Sequence, residues 1–118
     1  MILTLDHVQR LNLHALMGAQ KATVDEMRAL WRMQDRIDLS AEEKEAINYR
    51  VIEQQGNLIP VWDPAKRLPA SEYEFNSEEV GRIDRIIKNW QPGFVAAADR
   101  AWLEPLLRQI ETTPNGSQ

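Results

Sequence analysis

Apolar residues recur at helical spacing in five stretches of this chain, and in one stretch the spacing breaks down. From about Thr4 to Ala19, the residues Leu5, Val8, Leu11, Ala15 and Leu16 share a face, with Thr4 as N-cap and Asp6 in the first turn. A second helix opens at a capping box, Thr23 with Glu26, and carries Met27, Leu30, Trp31, Gln34 and Ile37 along one face until Asp38 and Leu39 end it. Ser40 and Glu43 form the next capping box and predict a third helix over 41–54. Its stripe is thin: Ala46, Ile47, Val51 and Tyr49, with Gly56-Asn57 as the stop. Asn76 and Glu79 repeat the box, stapled by Phe75 and Val80. Val80, Ile83, Ile87 and Trp90 then make the strongest stripe in the chain, up to the break at Pro92-Gly93. A fifth helix is expected over 97–110, with Asp99 as a candidate N-cap and Leu103, Leu106, Leu107 and Ile110 facing inward. Pro105 must kink or restart it, because proline removes a ladder hydrogen bond.

Residues 57–75, "NLIPVWDPAKRLPASEYEF", break the helical rhythm. Three prolines and two alternating patches, Leu58–Trp62 and Glu72–Phe75, suit a proline-rich loop or a short two-stranded hairpin. Leu3-Thr4, Leu39-Ser40 and Phe75-Asn76 recur every 36 residues, but little else aligns, so the spacing does not define a repeat array. The expected fold class is therefore mainly α: a compact bundle of four to five helices with a proline-rich loop or short β-hairpin insertion at about 57–75. One α-helical domain spans 1–111, and residues 112–118 form a loose tail.

Composition narrows the chemistry. The length of 118 residues suits one domain with a real core. The absence of cysteine excludes disulfides, thiol catalysis, zinc fingers and iron–sulfur clusters. The opening "MILTLDHVQRLNLHAL" lacks a basic n-region, and no apolar run approaches the ~20 residues that span a bilayer, so a cytoplasmic chain away from membranes is expected. A net charge of −4 argues against general affinity for nucleic acid, which rests on neutralising phosphates.

No catalytic constellation emerges. His7 and His14 lie about two turns, roughly 10 Å, apart on a helix, too far to share a metal ion. The five glycines stand singly, so there is no phosphate loop, and no serine sits in a nucleophile elbow. The acidic set Asp35, Asp38, Glu42, Glu43 and Glu45 lacks the glycine and alternating ligands of a calcium loop. Glu42, Glu43, Glu78 and Glu79 sit in first turns, where the helix dipole favours carboxylates, and read as structural. The expectation is a protein that is not an enzyme and needs no metal or cofactor.

Binding features are more numerous. Arg28, Arg32 and Arg36 recur every four residues along the second helix, with Asp25 and Asp35 placed to offset their repulsion. Arg82, Arg85 and Lys88 line the fourth. The first ridge reads as an ordinary charged face, or as a surface that meets an acidic protein partner or a phosphate backbone. The second and third helices have helix-turn-helix spacing, but Glu42, Glu43 and Glu45 would face DNA at the start of the recognition helix. Of the four tryptophans, Trp31, Trp90 and Trp102 fall on helix stripes and are expected in the core. Trp62, in the irregular segment beside Ile59 and Val61, either caps the core or anchors a partner.

At "DLSAEEKEAINYRV" and "EFNSEEVGRIDRIIKNW…ADRAWLEPLL" the chain resembles small helical proteins encoded by bacteriophages and prophages. That resemblance covers about half the chain and implies no catalytic residue. It implies a phage-type accessory, regulatory or inhibitory protein that binds a host or virion protein, in the host cytoplasm. The expected contact residues are Trp62, Ile59, Tyr49, Arg28, Arg32 and Arg36. The alternatives are a nucleic-acid-binding regulator and a self-assembling structural or virion subunit that forms homo-oligomers.

Overall fold

Leu3 and Leu5 point into the core while Ile2 and Thr4 face outward, the alternation of a half-buried strand. In the computed structural model, which describes residues 1–112, β1 (Ile2–Leu5) pairs antiparallel with β4 (Ser71–Glu74) in the register Ile2↔Glu74 to Leu5↔Ser71. Five helices surround this sheet: α1 (His7–Gly18), α2 (Val24–Ile37), α3 (Ala41–Ala46), α4 (Ser77–Lys88) and α5 (Ala96–Glu111). A second two-stranded sheet joins β2 (Arg50–Gln54) to β3 (Asn57–Val61). The fold is thus mixed α and β, with five helices and two small antiparallel sheets, and not the mainly α bundle that periodicity predicts. Of the expected tail 112–118, residues 113–118 lie outside the described residues.

The first helix begins later than its stripe suggests. Thr4 belongs to β1, and the N-cap is Asp6, whose Oδ1 accepts the Gln9 N–H at 2.8 Å while Gln9 Oε1 accepts the Asp6 N–H at 2.9 Å. The phase shifts with it. Leu13, Leu16 and Met17 are buried, Leu11 is half-buried and Ala15 is exposed. α2 and α4 start at the expected caps Thr23 and Asn76. In α5 the N-cap is Val95, and Asp99 acts from within the first turn, accepting the Val95 N–H at 2.8 Å. Pro105 is accommodated inside that helix.

The third helix departs most from expectation. It stops at Ala46, and the missing signal is Asn48. With φ at 55°, Asn48 takes the left-handed conformation that usually favours glycine. The Tyr49 N–H then reaches back to Lys44 O at 2.8 Å and the Asn48 N–H to Glu45 O at 3.1 Å, the paired bonds of a Schellman motif. Residues 50–54 leave the helix extended. Gln55 and Gly56, with φ of 53° and 81°, close a two-residue turn of type I′, whose twist matches that of paired strands. The sequence Gly56-Asn57 therefore turns a hairpin instead of ending a helix. The expected pairing inside 57–75 does not form: residues 57–61 pair back with 50–54, and 71–74 pair with 2–5. Because α3 has six residues and runs into a hairpin, it is no recognition helix. The 36-residue spacing is likewise not structural, since Thr4 lies in a strand whereas Ser40 and Asn76 are caps.

The core lies between the β1–β4 sheet and the four long helices. Leu3, Leu5, Leu13, Met33, Ile37, Phe75, Ile83 and Leu106 are fully enclosed in it. Arg10 is the polar tie. Only 4% of its side chain is exposed, and it donates from Nε to Ile37 O at 2.9 Å and from Nη2 to Asp38 O at 2.9 Å. Both terminal nitrogens also grip Glu43, the capping-box glutamate of α3, so one guanidinium binds the end of α2 to the start of α3. This contact holds Glu43 down at about 2, chiefly through the Arg10 hydrogen bond. Glu79 has the analogous double role: its Oε1 accepts the Asn76 N–H at 2.9 Å and Arg36 Nη1 at 3.0 Å. Burial works against the charge on Glu79, but these hydrogen bonds leave its carboxyl below the ordinary range.

Candidate functional site

Every residue of β2 is exposed, and so are Asn57, Leu58 and Pro60 of β3. The β2–β3 hairpin stands outside the main core cluster, and only Ile59 and Val61 on it are half-buried. Its pairing is Arg50↔Val61, Val51↔Pro60, Ile52↔Ile59, Glu53↔Leu58 and Gln54↔Asn57. Side chains alternate across a strand pair. One face therefore carries Ile52, Ile59 and Val61, and the other carries Val51, Leu58 and Pro60. Leu58 is 75% exposed and Val51 53%, which is a large apolar outlay for two strands that are marginal by themselves.

Tyr49 and Trp62 flank the last pair of this ladder, at the base of the hairpin. They line an open cleft of about 630 Å³ with Glu45, Asn48, Arg50, Asp63 and Pro64. The Asp63 N–H donates to Ile47 O at 2.8 Å, which fixes the returning strand to the end of α3. Lys44 Nζ lies 5.4 Å from the centre of the Tyr49 ring, within cation–π range. Trp62 is half-buried and stands outside the main core cluster, so it does not cap that core.

The arginine ridge divides. Arg28 and Arg32 are exposed and make no ion pair with a described residue, Asp25 and Asp35 included. Arg36 is engaged within the molecule. Its Nη1 donates to Glu74 O at 3.1 Å and to Glu79, and its guanidinium lies 5.1 Å over the Phe75 ring. On α4, Arg82 is paired with Glu78 at 2.9 Å and Lys88 with Asp84 at 3.0 Å. Tyr49, Trp62 and Ile59 are thus brought together at one hairpin, Arg28 and Arg32 lie on a separate helix face, and Arg36 is a structural contact.

Trp31 corrects the expected core. It is 54% exposed, on the same outer face of α2 as Val24 and Arg28, while Met33 takes its place inside. Trp90 is half-buried against the core. Trp102 is buried, its Nε1–H donating to Asp99 Oδ1 at 2.9 Å and its ring meeting Phe94 edge-on at 5.9 Å. Sequence reading passed over Val51, Ile52 and Leu58 as binding residues. The usable signal was the alternation in "RVIEQQGNLIPV" around a glycine that follows a polar residue.

Burial lowers the affinity of His7 for a proton, and its Nδ1 faces the Leu68 N–H at 3.5 Å. Among the described residues, no three histidine or acidic side chains converge as metal ligands, and no helix is long and apolar enough to cross a membrane. Comparison with protein-family models, with curated proteins and with solved structures finds no match to this chain.

Proposed function

We propose that this chain is a protein-binding module of accessory, regulatory or inhibitory type, and that the β2–β3 hairpin is its contact element. The observation that carries this reading is the exposure of Val51, Ile52 and Leu58 on strands that take no part in the main core. Fold stability does not require those side chains. A partner that covers them gains about 25 cal/mol for each Å² of apolar surface removed from water. Tyr49 and Trp62 at the base supply the rigid aromatic contacts that dominate many interfaces. Arg28 and Arg32, beside the exposed Trp31, form a second patch suited to an acidic surface. The resemblance to small phage-encoded proteins points the same way, to a host or virion protein met in the cytoplasm.

The test is a pull-down of tagged protein from bacterial lysate, with and without nuclease, comparing wild type with Leu58→Asp and Trp62→Ala. A single near-stoichiometric protein that survives nuclease and is lost with either variant, at unchanged circular dichroism, is the expected result. Equal recovery with all three proteins overturns the hairpin as contact element. Recovery that vanishes with nuclease replaces this reading with nucleic-acid binding.

A further inference from the structure

The described chain has four strands and therefore four outer edges, and three of them are blocked at one position each. At β1 the Thr4 N–H donates to Gln109 Oε1 at 2.7 Å, and Thr4 O accepts Gln109 Nε2–H at 2.9 Å, so one amide side chain from α5 takes both groups. At β4, Glu74 O accepts Arg36 Nη1. At β3, Pro60 has no N–H to offer. Such coverings are how soluble proteins keep strand edges from pairing with other chains.

The edge of β2 is different. In a hairpin closed by a two-residue turn, the pair next to the turn, here Gln54↔Asn57, is hydrogen-bonded, and bonding alternates along the ladder. Ile52↔Ile59 and Arg50↔Val61 are therefore bonded pairs. Val51↔Pro60 and Glu53↔Leu58 are not, in keeping with the missing N–H of Pro60. The N–H and C=O of Val51 and Glu53 consequently point away from β3, and no described residue takes them up. Neither proline nor lysine guards this edge.

We infer that β2 pairs antiparallel with β2 of a second copy of this chain, across a two-fold axis at Ile52. This inference rests on the hairpin being the binding element and assigns its open edge to a second copy, leaving its exposed faces to the partner proposed above. The register is fixed by the outward groups, because only Val51 opposite Glu53 of the other copy, and the reverse, brings all four donors and all four acceptors together. The same register leaves no like charges directly opposed, since Arg50 faces Gln54 and Glu53 faces Val51. It also sets Ile52 against Ile52. With the existing Ile52↔Ile59 pair, that makes a row of four isoleucines across a four-stranded sheet. At the base of the hairpin the Tyr49 N–H already serves Lys44 O, so the added ladder ends where the open edge ends. Five residues from each chain bury less than a standard interface, so the dimer depends on concentration in the micromolar-to-millimolar range.

The test is the mass in solution, by analytical ultracentrifugation across that range, together with single-cysteine crosslinking in this cysteine-free chain. Val51→Pro removes one outward N–H and no bond within the hairpin, and it mirrors the natural Pro60 across the pair. The expected result is a wild-type dimer at high concentration and a monomer for Val51→Pro, with matching circular dichroism. Ile52→Cys should form a disulfide dimer under mild oxidation several-fold faster than Leu58→Cys. Opposed residues at such a non-bonded pair have Cα atoms about 4.5 Å apart, within disulfide range. A wild-type monomer at every concentration overturns the self-pairing, as does a dimer that Val51→Pro leaves intact or equal crosslinking of the two cysteine variants. If the wild type is monomeric yet still loses its captured protein with Leu58→Asp, the hairpin remains the contact element and only the second copy is excluded.

Discussion

Arg10 holds Glu43 at both ends of its guanidinium, Nη1 to Oε2 at 2.7 Å and Nη2 to Oε1 at 3.0 Å. The same Glu43 accepts the Ser40 N–H at 2.9 Å, so the capping box of α3 and the buried arginine of α1 meet on one carboxylate. Arg10→Met removes four donated hydrogen bonds and leaves the Ile37 and Asp38 carbonyls without their donor. The expected cost is about 2–4 kcal/mol, below the largest losses for broken buried pairs because Glu43 keeps some solvent contact. Urea denaturation with an unchanged slope would measure it. Arg10→Lys should recover only part of the loss, since one ammonium cannot make the forked contact.

The lowered pKa of Glu43 sets the direction of the pH dependence. Its carboxyl titrates at about 2 in the folded chain against an ordinary 4.5. Its contribution is therefore fully present above about pH 4.5 and is lost as the pH falls from there towards 2. After screening at a side chain that is 32% exposed, that contribution is on the order of 1–2 kcal/mol. Thermal melts from pH 7 to pH 2 should show a shallower acid fall for Glu43→Gln than for wild type. Curves that stay parallel across that window would remove Glu43 as a source of the acid sensitivity.

Asn48 decides where α3 becomes the hairpin. Asn48→Gly should be nearly neutral, because glycine takes the left-handed conformation without strain. Asn48→Val should cost about 1–2 kcal/mol, since a branched side chain is poorly tolerated there. The local readout is hydrogen exchange at the Tyr49 amide, which is protected by Lys44 O and should open first in the valine variant.

Two tryptophans, Trp31 on α2 and Trp102 on α5, should respond oppositely to truncation. Trp102→Ala empties a buried site, strips Phe94 of its edge-on partner, and should cost about 3–5 kcal/mol. Trp31→Ala should change stability by no more than about 0.5 kcal/mol, because the ring is largely in solvent. Acrylamide quenching of tryptophan fluorescence should fall in the Trp31 variant and stay near wild type in a conservative Trp102→Phe variant.

The capped helices were legible because their signals are local. Ser40 with Glu43 and Asn76 with Glu79 each place an acceptor and a reciprocal glutamate three residues apart, and α3 and α4 begin there, while α2 begins at Thr23, whose hydroxyl accepts the Glu26 N–H without the expected reciprocal bond from Glu26. The errors arose where distant residues overrode a local pattern. Thr4 and Leu5 read as the start of a helix, but strand pairing with 71–74 and the two bonds from Gln109 to Thr4 hold them extended. Val51 read as the end of a helical stripe because Asn48, a weaker stop than glycine, was passed over. Trp31 and Met33 lie two residues apart on α2, and only the neighbouring helices decide which one is enclosed. For the site, Trp62, Tyr49 and Ile59 converge on one hairpin. The role of Arg36 was hidden because its partners, Glu74 and Glu79, are far along the chain.

The pairing of β1 with β4 also fixes an order of events during synthesis. A ribosome adds about 5–20 residues each second, so several seconds pass between the emergence of residues 2–5 and that of residues 71–75. Through that interval Leu3 and Leu5 have no strand beside them, whatever the helices between have achieved. The nascent chain therefore offers its first leucines to chaperones until the fourth strand arrives.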